Sequence, residues 1–233
     1  MLRTGESGEY ERLRRRKWIL AVALALSLCV LLVSLLFLAR IKGWVGGREE
    51  MTLLTVVDRD NPVPEELSQT LSFIDDEHMV DARCADELER MLLDCRLAGH
   101  DPIVTAAYRS SNQQRELLNA LTETYVGEGL DADSARALAL ESVDEPGLSE
   151  HQLGLAVDIE DERMEATERT QRWLSEHAWE YGFIQRYPAG KEVVTGHRAS
   201  EAHYRFVGSE AAKQIFELGS TLEEYLGLFY SNS

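Results

Sequence analysis

The longest apolar run of this chain lies near its N-terminus. Residues 18–39 contain no charged side chain and consist mainly of Leu, Ala and Val. A helix of about 20 such residues crosses the roughly 30 Å of bilayer hydrocarbon, whereas a cleaved signal peptide has a shorter apolar core and a small-residue cleavage site. The pattern therefore predicts an uncleaved transmembrane helix over residues 18–39.

The charges that flank this run predict its orientation. A dense basic block, residues 12–17, precedes the run, and fewer basic residues follow it. Because Lys and Arg are enriched on the cytoplasmic side of membrane helices, residues 1–17 are expected to be a cytoplasmic tail. Residues 40–52, rich in Gly and charge, are expected to be a tether. Residues 53–233 would then form an extracytoplasmic domain of a single-pass cell-membrane protein.

The hydrophobic pattern after residue 52 alternates between helical and extended segments. Residues 81–98 have the periodicity of one helix that ends at Gly99. The segments 103–108, 155–160, 183–187 and 202–207 are typical of short strands, and 167–181, 209–218 and 221–226 of helices. Strands and helices do not alternate regularly as in βαβ units. We therefore predict an α+β fold, with a small, mostly antiparallel sheet flanked by helices.

Charge and cysteine content narrow the possible functions. The net charge is −17, and residues 1–50 contain 9 Lys/Arg against 5 Asp/Glu, so the negative excess lies after residue 50. An external domain this acidic is a poor partner for nucleic acid phosphates.

Cys84 and Cys95 are separated by about 16 Å along one helix, too far for a disulfide, and are expected to be free thiols. The sequence does not indicate an oligomeric state.

One segment of the domain has residue types and spacing that suit a metal site. His151 precedes Asp158 by seven residues, with Gly154 between them. An odd separation would place the two side chains on opposite faces of a straight strand, so the chain must bend between them. Gly154 can adopt such a bend at low cost. The segment is therefore interpreted as a loop histidine that folds back over a strand aspartate.

A second segment supplies another histidine about fifty residues later. Glu201, His203 and Arg205 are spaced by two, so they share one face if the segment is extended. Two imidazoles and one carboxylate are the ligands of a catalytic zinc site that leaves a position open for water. In this arrangement Glu201 is expected to reach the water beside the metal and take its proton.

These residues resemble a known family. The pattern Ser149-x-His151-x-x-Gly154-x-Ala156-x-Asp158 is similar to the signature of the VanY-type D-alanyl-D-alanine carboxypeptidases, members of the LAS group of zinc peptidases. Further similarity to this family extends over roughly residues 52–228. It includes the segments 61–64, 107–114, 181–196, 204–208 and 222–227.

The resemblance implies a function and roles for individual residues. The chain is expected to be a zinc-dependent D-alanyl-D-alanine carboxypeptidase that trims peptidoglycan stem peptides outside the cell membrane. The implied Zn²⁺ ligands are His151, Asp158 and His203. Arg109 is expected to stabilise the oxyanion or the substrate carboxylate, which suits a planar guanidinium. Contacts to the substrate are expected from Ser149, Gln114 and Ser110.

One departure from the family pattern affects the catalytic base. The family usually has Glu-Pro-Trp-His, whereas this chain has Ser200, Glu201 and Ala202 before His203. Either Glu201 serves as the base from a shifted position, or the base is missing. Ser200 and Ala202 favour one alternative, a catalytically impaired, zinc-containing domain that binds cell-wall peptide. A second alternative is a D,D-dipeptidase or an L,D-type endopeptidase of the same fold, which differs in the length of the substrate pocket, a property that the sequence does not give.

Overall fold

The structure is a computed structural model that describes residues 52–164 and 167–230. The predicted membrane helix at residues 18–39 lies outside these residues and stays a prediction. Within the part of the chain that the structure describes, no helix is long and apolar enough to cross a membrane.

The described residues form two antiparallel sheets with helices around them. The strands are β1 (Leu71–Phe73), β2 (Met79–Asp81), β3 (Pro102–Ala106), β4 (Ala156–Asp161), β5 (Phe183–Tyr187) and β6 (Ser200–Phe206). The helices are α1 (Ala82–Leu97), α2 (Ser111–Gly127), α3 (Ala132–Ala139), α4 (Thr167–His177), α5 (Glu192–Thr195), α6 (Ser209–Leu218) and α7 (Leu222–Tyr230). Single 3₁₀ turns, Glu150–Leu153 and Ala178–Tyr181, precede β4 and β5.

The larger sheet has the strand order β3-β4-β6-β5 with every neighbouring pair antiparallel. The predicted α+β fold with a small antiparallel sheet is thereby confirmed. The smaller sheet, β1 with β2, was not predicted from the sequence. In the larger sheet, β4 and β6 are the central strands, so residues on them are held by neighbours on both sides.

Helix α1 follows the sequence pattern closely. Asp81 caps its N-terminus by accepting a hydrogen bond from the Arg83 backbone N–H, and Gly99 follows its end with a φ of 95°. The buried residues recur at helical spacing: Cys84, Ala85, Leu88, Met91, Leu92 and Cys95. Both cysteines are free, as predicted, and both are buried. This helix therefore closes the main hydrophobic core beneath the sheet.

Two apolar clusters support the sheet. The larger one joins α1 and α4 to β4, β5 and β6 and includes Leu88, Ile159, Leu174 and Phe183. The smaller one packs α6 and α7 against the ends of β5 and β6. Two arginines of these strands, Arg186 and Arg205, are almost fully buried. A buried guanidinium needs charged or polar partners, and both find them beside the candidate site.

Candidate metal centre and active site

The turn that carries His151 depends on a glycine. The 3₁₀ turn Glu150–Leu153 ends at Gly154, which has a φ of 72°, in the left-handed region. A Cβ at this position would lie 3.0 Å from the backbone N of Asp81, so any side chain would also force the Asp81 backbone to shift. The bend predicted between His151 and Asp158 is thereby confirmed, and it directs the histidine back over β4.

Register, in contrast, places the other two side chains together. Asp158 on β4 lies directly opposite His203 on β6. The Nδ1 atom of His203 is 2.7 Å from Oδ1 of Asp158, and Nε2 of His151 is 3.4 Å from Oδ2. The two imidazole rings are 5.0 Å apart and nearly perpendicular. Residues from a turn and two central strands thus converge on one point.

Electrostatics at this point favour a cation. Burial opposes ionisation of His203, but Asp158 and Glu150 raise its pKa to about 9. Burial also opposes ionisation of Asp158, yet hydrogen bonds from both histidines hold its pKa well below the usual range. Burial lowers the pKa of His151. The cluster therefore contains a carboxylate that stays charged and a neutral imidazole able to bind a metal.

The donor set fits zinc. One atom from each of His151, Asp158 and His203 lies within 4.8 Å of the other two. Tetrahedral zinc, with bonds of about 2.0–2.2 Å, places neighbouring ligand atoms roughly 3–3.6 Å apart. Asp158 lies 2.7 Å from Nδ1 of His203 and 3.4 Å from Nε2 of His151, so these side chains need only a small adjustment to hold the ion. The Ala107 carbonyl accepts a hydrogen bond from Nδ1 of His151 at 2.8 Å, which leaves Nε2 free to bind. Backbone carbonyls commonly orient metal-binding histidines in this way.

Arg109 lies beside the ligand cluster, and a hydrogen bond to Gln114 fixes its guanidinium. Its Nε donates to Oε1 of Gln114 at 2.8 Å, and the Gln114 amide donates to the Asp144 carbonyl at 2.8 Å. Burial lowers the pKa of Arg109, while Asp158 and Asp144 act in the opposite direction. Gln114 is fully buried, and its amide is committed to these internal bonds. It therefore supports Arg109 instead of facing the open side of the site.

The two serines expected near the substrate have different surroundings. Ser110 is the N-cap of α2, where its hydroxyl accepts from the Gln113 backbone N–H and the Gln113 side chain accepts from the Ser110 N–H. This reciprocal arrangement stabilises the start of the helix. Ser149 is buried immediately before the turn that carries His151. Ser110 thus has a structural role whether or not it contacts a substrate.

Glu201 is exposed at the start of β6, and among the described residues its carboxylate makes no hydrogen bond or ion pair with the ligand cluster. Burial is the main cause that raises the pKa of Tyr204, and Glu201 is the second cause. The Tyr204 hydroxyl donates to Gln171 of α4. The β5–β6 register shifts between Gln185 and Tyr187, opposite this part of β6. The predicted same-face relation of Glu201 and His203 depends on regular alternation, which this shift interrupts.

The site includes three residues that were not assigned to it from the sequence. Each contacts a metal ligand or a neighbour of one. Glu150 is buried, with Oε2 3.6 Å from Nε2 of His203. Tyr187 stacks between the rings of His203 and His197, at 5.0 and 4.5 Å. Nδ1 of His197 lies 3.8 Å from Asp144. The sequence position of Glu150, next to His151, could have indicated its role, because a charged residue within a buried motif requires a partner.

Comparisons with known proteins agree with this geometry. Residues 77–209 match the model of the family VanY, D-alanyl-D-alanine carboxypeptidase. A D-alanyl-D-alanine carboxypeptidase of Enterococcus faecalis (strain ATCC 700802 / V583) is 38% identical over 181 residues, which cover 77% of this chain and 68% of that protein.

Two solved structures are similar over their nearly complete length. One is a mutant of the vancomycin-resistance D,D-pentapeptidase VanY from the VanB-type resistance cassette in complex with Zn(II), with a TM-score of 0.70 and 38% identity over 75% of this chain and 99% of that one. The other is VanYB in complex with D-alanine-D-alanine, with a TM-score of 0.70 and 37% identity over 76% and 98%. The chain thus belongs to the VanY family of D-alanyl-D-alanine carboxypeptidases.

Proposed function

We propose that this protein is a zinc-dependent D-alanyl-D-alanine carboxypeptidase that removes the terminal D-alanine from peptidoglycan stem peptides. The observation that carries the proposal is the convergence of His151, Asp158 and His203 in a chain of this family. When bound there, zinc polarises the scissile carbonyl and lowers the pKa of a water molecule to near 7. The related VanYB structure in complex with D-alanine-D-alanine supports the choice of substrate.

Arg109 supplies a fixed positive charge beside the metal ligands. Its guanidinium is held by Gln114, so little reorganisation is needed when negative charge develops on the substrate. The backbone N–H of Arg109 donates to the His151 carbonyl at 3.2 Å, which ties this arginine to the ligand turn. We assign to Arg109 the stabilisation of the oxyanion or of the substrate carboxylate.

A general base must take a proton from the attacking water, and two carboxylates are candidates. Glu201, two residues before His203, is the candidate from sequence; its exposed side chain must turn towards the ligands to act. Asp144 is favoured by its position: its backbone carbonyl accepts from Gln114, the residue that holds Arg109, and its carboxylate lies 3.8 Å from Nδ1 of His197. Burial raises the pKa of Asp144, which suits a residue that takes up a proton. Glu150 is unsuitable as a base. Burial alone would raise its pKa, but Arg186 and Arg205 outweigh burial and hold the pKa far below the usual range.

The test is release of D-alanine from a pentapeptide that ends in D-Ala-D-Ala, with zinc content measured in parallel. General bases contribute about 10²- to 10⁴-fold to rate, so the variant that removes the base should lose that much kcat and keep its zinc. Glu201→Gln and Asp144→Asn are the two test variants, and Ser200→Ala is the matched control. Unchanged kcat in both test variants would contradict both assignments.

Product analysis separates the alternatives. Release of the D-Ala-D-Ala dipeptide instead of free D-alanine would indicate a dipeptidase, and cleavage within the stem would indicate an endopeptidase. The departure of Ser200 and Ala202 from the family pattern favours a domain that only binds cell-wall peptide. Bound zinc with no cleavage of any of these bonds would support that domain and contradict the carboxypeptidase.

We also propose that residues 18–39 anchor the protein in the cell membrane, with residues 53–233 outside. The uncharged run and the basic block before it support this proposal. The full-length chain should stay with membranes after alkaline extraction, and protease added to spheroplasts should digest the C-terminal domain. Recovery of the chain in the extract would contradict the anchor, and protection of the domain would contradict the orientation.

A further inference from the structure

Glu150 occupies a buried position that the proposed reaction does not explain. It is 2% exposed and lies on the turn that carries His151. Its Oε1 atom is 2.8 Å from Nε of Arg186 and 2.8 Å from Nη1 of Arg205. Burial of three charged groups is costly unless each finds partners. Two guanidiniums therefore hold one oxygen of this carboxylate in place.

The second carboxylate oxygen of Glu150 has no such partner. Oε2 makes no hydrogen bond among the described residues, and neither does Nε2 of His203. These two buried atoms face each other at 3.6 Å. A small movement of either side chain would bring the two atoms within hydrogen-bond distance. Leaving both atoms unpaired in a buried position costs free energy, so the hydrogen-bonded arrangement is favoured. The contact therefore defines which nitrogen of His203 faces inward.

The remaining contacts of the His203 ring are consistent with this direction. Its Nδ1 atom lies 2.7 Å from Asp158, on the side of the ligand cluster. Tyr187 stacks on the ring at 5.0 Å with an interplanar angle of 22°. Tyr187 thus covers one face of the His203 ring, and the Nε2 edge of the ring faces Glu150.

We propose that Glu150 is a positioning residue for the metal centre: its carboxylate accepts a hydrogen bond from Nε2 of His203 and directs Nδ1 to zinc. This inference rests on the proposed zinc site. The two histidines then differ, because His151 binds through Nε2 and is oriented by the Ala107 carbonyl. Carboxylates and carbonyls are the usual outer partners of metal-binding histidines.

The network also supplies a matched control. Arg186 pairs with a second carboxylate, that of Glu223 on α7, at 3.0 Å from Nη1. Glu223 thus shares an arginine with Glu150, but its position beyond Arg186 gives it no part in orienting His203. Glu150→Gln removes the charge beside His203, and Glu223→Gln removes a charge only from the far side of Arg186.

The first test is zinc affinity, measured by competition with a chromophoric chelator. Loss of an outer-sphere partner typically costs about 10- to 100-fold in metal affinity, so Glu150→Gln should weaken zinc binding by this factor. Glu223→Gln should leave the affinity within about twofold of wild type. Wild-type affinity in Glu150→Gln, or equal losses in both variants, would overturn the inference. Failure of the wild-type chain to bind zinc would instead refute the proposed function.

A second measurement uses the unmodified protein, since Glu150→Gln could also disturb folding by leaving two arginines unpaired. In ¹¹³Cd-loaded protein with ¹⁵N-labelled histidine, the metal should couple to Nδ1 of His203 and to Nε2 of His151. The Nε2 proton of His203 should exchange slowly with solvent. Metal coupling to Nε2 of His203 would contradict the proposal whatever the variants do.

Discussion

The two chain segments that supply the metal ligands differ sharply in their surroundings. In the first, residues 149–157 are buried without exception, and Asp158 follows on a central strand. In the second, residues 196–203, only His203 is buried. The departure from the family pattern, at Ser200 and Ala202, falls in the second segment. Packing therefore constrains the first half of the site, whereas the second half tolerates changes near the catalytic base.

The largest expected effect tests the buried half. Asp158→Ala removes the ligand that contacts both histidines, so the protein should lose stoichiometric zinc and D-alanine release should fall to background. Glu160→Ala is the control, because Glu160 is an exposed acidic residue of the same strand. Zinc content and D-alanine release are measured for both. Full zinc content in Asp158→Ala would show that the ligand set is wrong.

The next effect separates a residue that acts on the substrate from one that supports it. Arg109→Ala should lower kcat by about 10²- to 10³-fold, the range for removal of an oxyanion donor, without loss of zinc. Gln114→Ala should cause a smaller loss, because it leaves the guanidinium in place but less well held. Steady-state kinetics and zinc content distinguish the two variants. Equal kcat losses would indicate that Arg109 acts only as part of the Gln114 network.

A stability comparison tests whether packing sets the first segment. Gly154 and Gly196 both follow a short helical turn with nearly equal φ, 72° and 70°, but a Cβ would meet the Asp81 backbone only at Gly154. Gly196→Ala should lower the free energy of unfolding by about 1–2 kcal/mol from backbone strain alone. Gly154→Ala should lower it by a further 1–3 kcal/mol, approximately the cost of overpacking. Urea unfolding of both variants measures the difference, and equal losses would contradict the packing explanation.

The smallest effect concerns the core beneath the site. Burial, with a smaller contribution from Asp81, raises the pKa of Cys84 to about 12, and burial with Asp161 does the same for Cys95. Below that pH both remain thiols, so neither should react with a disulfide reagent at pH 8 until the protein unfolds. Peptide mapping after labelling, with and without urea, tests this. Rapid labelling of either cysteine in the folded protein would show that α1 opens locally.

Local patterns in the sequence predicted much of the fold. The period of apolar residues indicated α1, and the strand at residues 183–187 has the predicted bounds. The glycine between His151 and Asp158 indicated a bend, because an odd spacing cannot otherwise bring the two side chains together. The hairpin of β1 and β2 was not predicted, since strands of three residues carry too little periodicity.

The sequence by itself determined the ligand types, the family and the free cysteines, because each depends on residue identity or on distance along one element. Only the tertiary structure decided which groups face those ligands. Glu150 meets His203 through the pairing of β4 with β6, and Asp144 approaches the site from the loop that precedes the ligand turn, distant from β6 in sequence. The register shift beside Glu201 likewise arises from strand pairing, which the alternation of residues along a single strand does not contain.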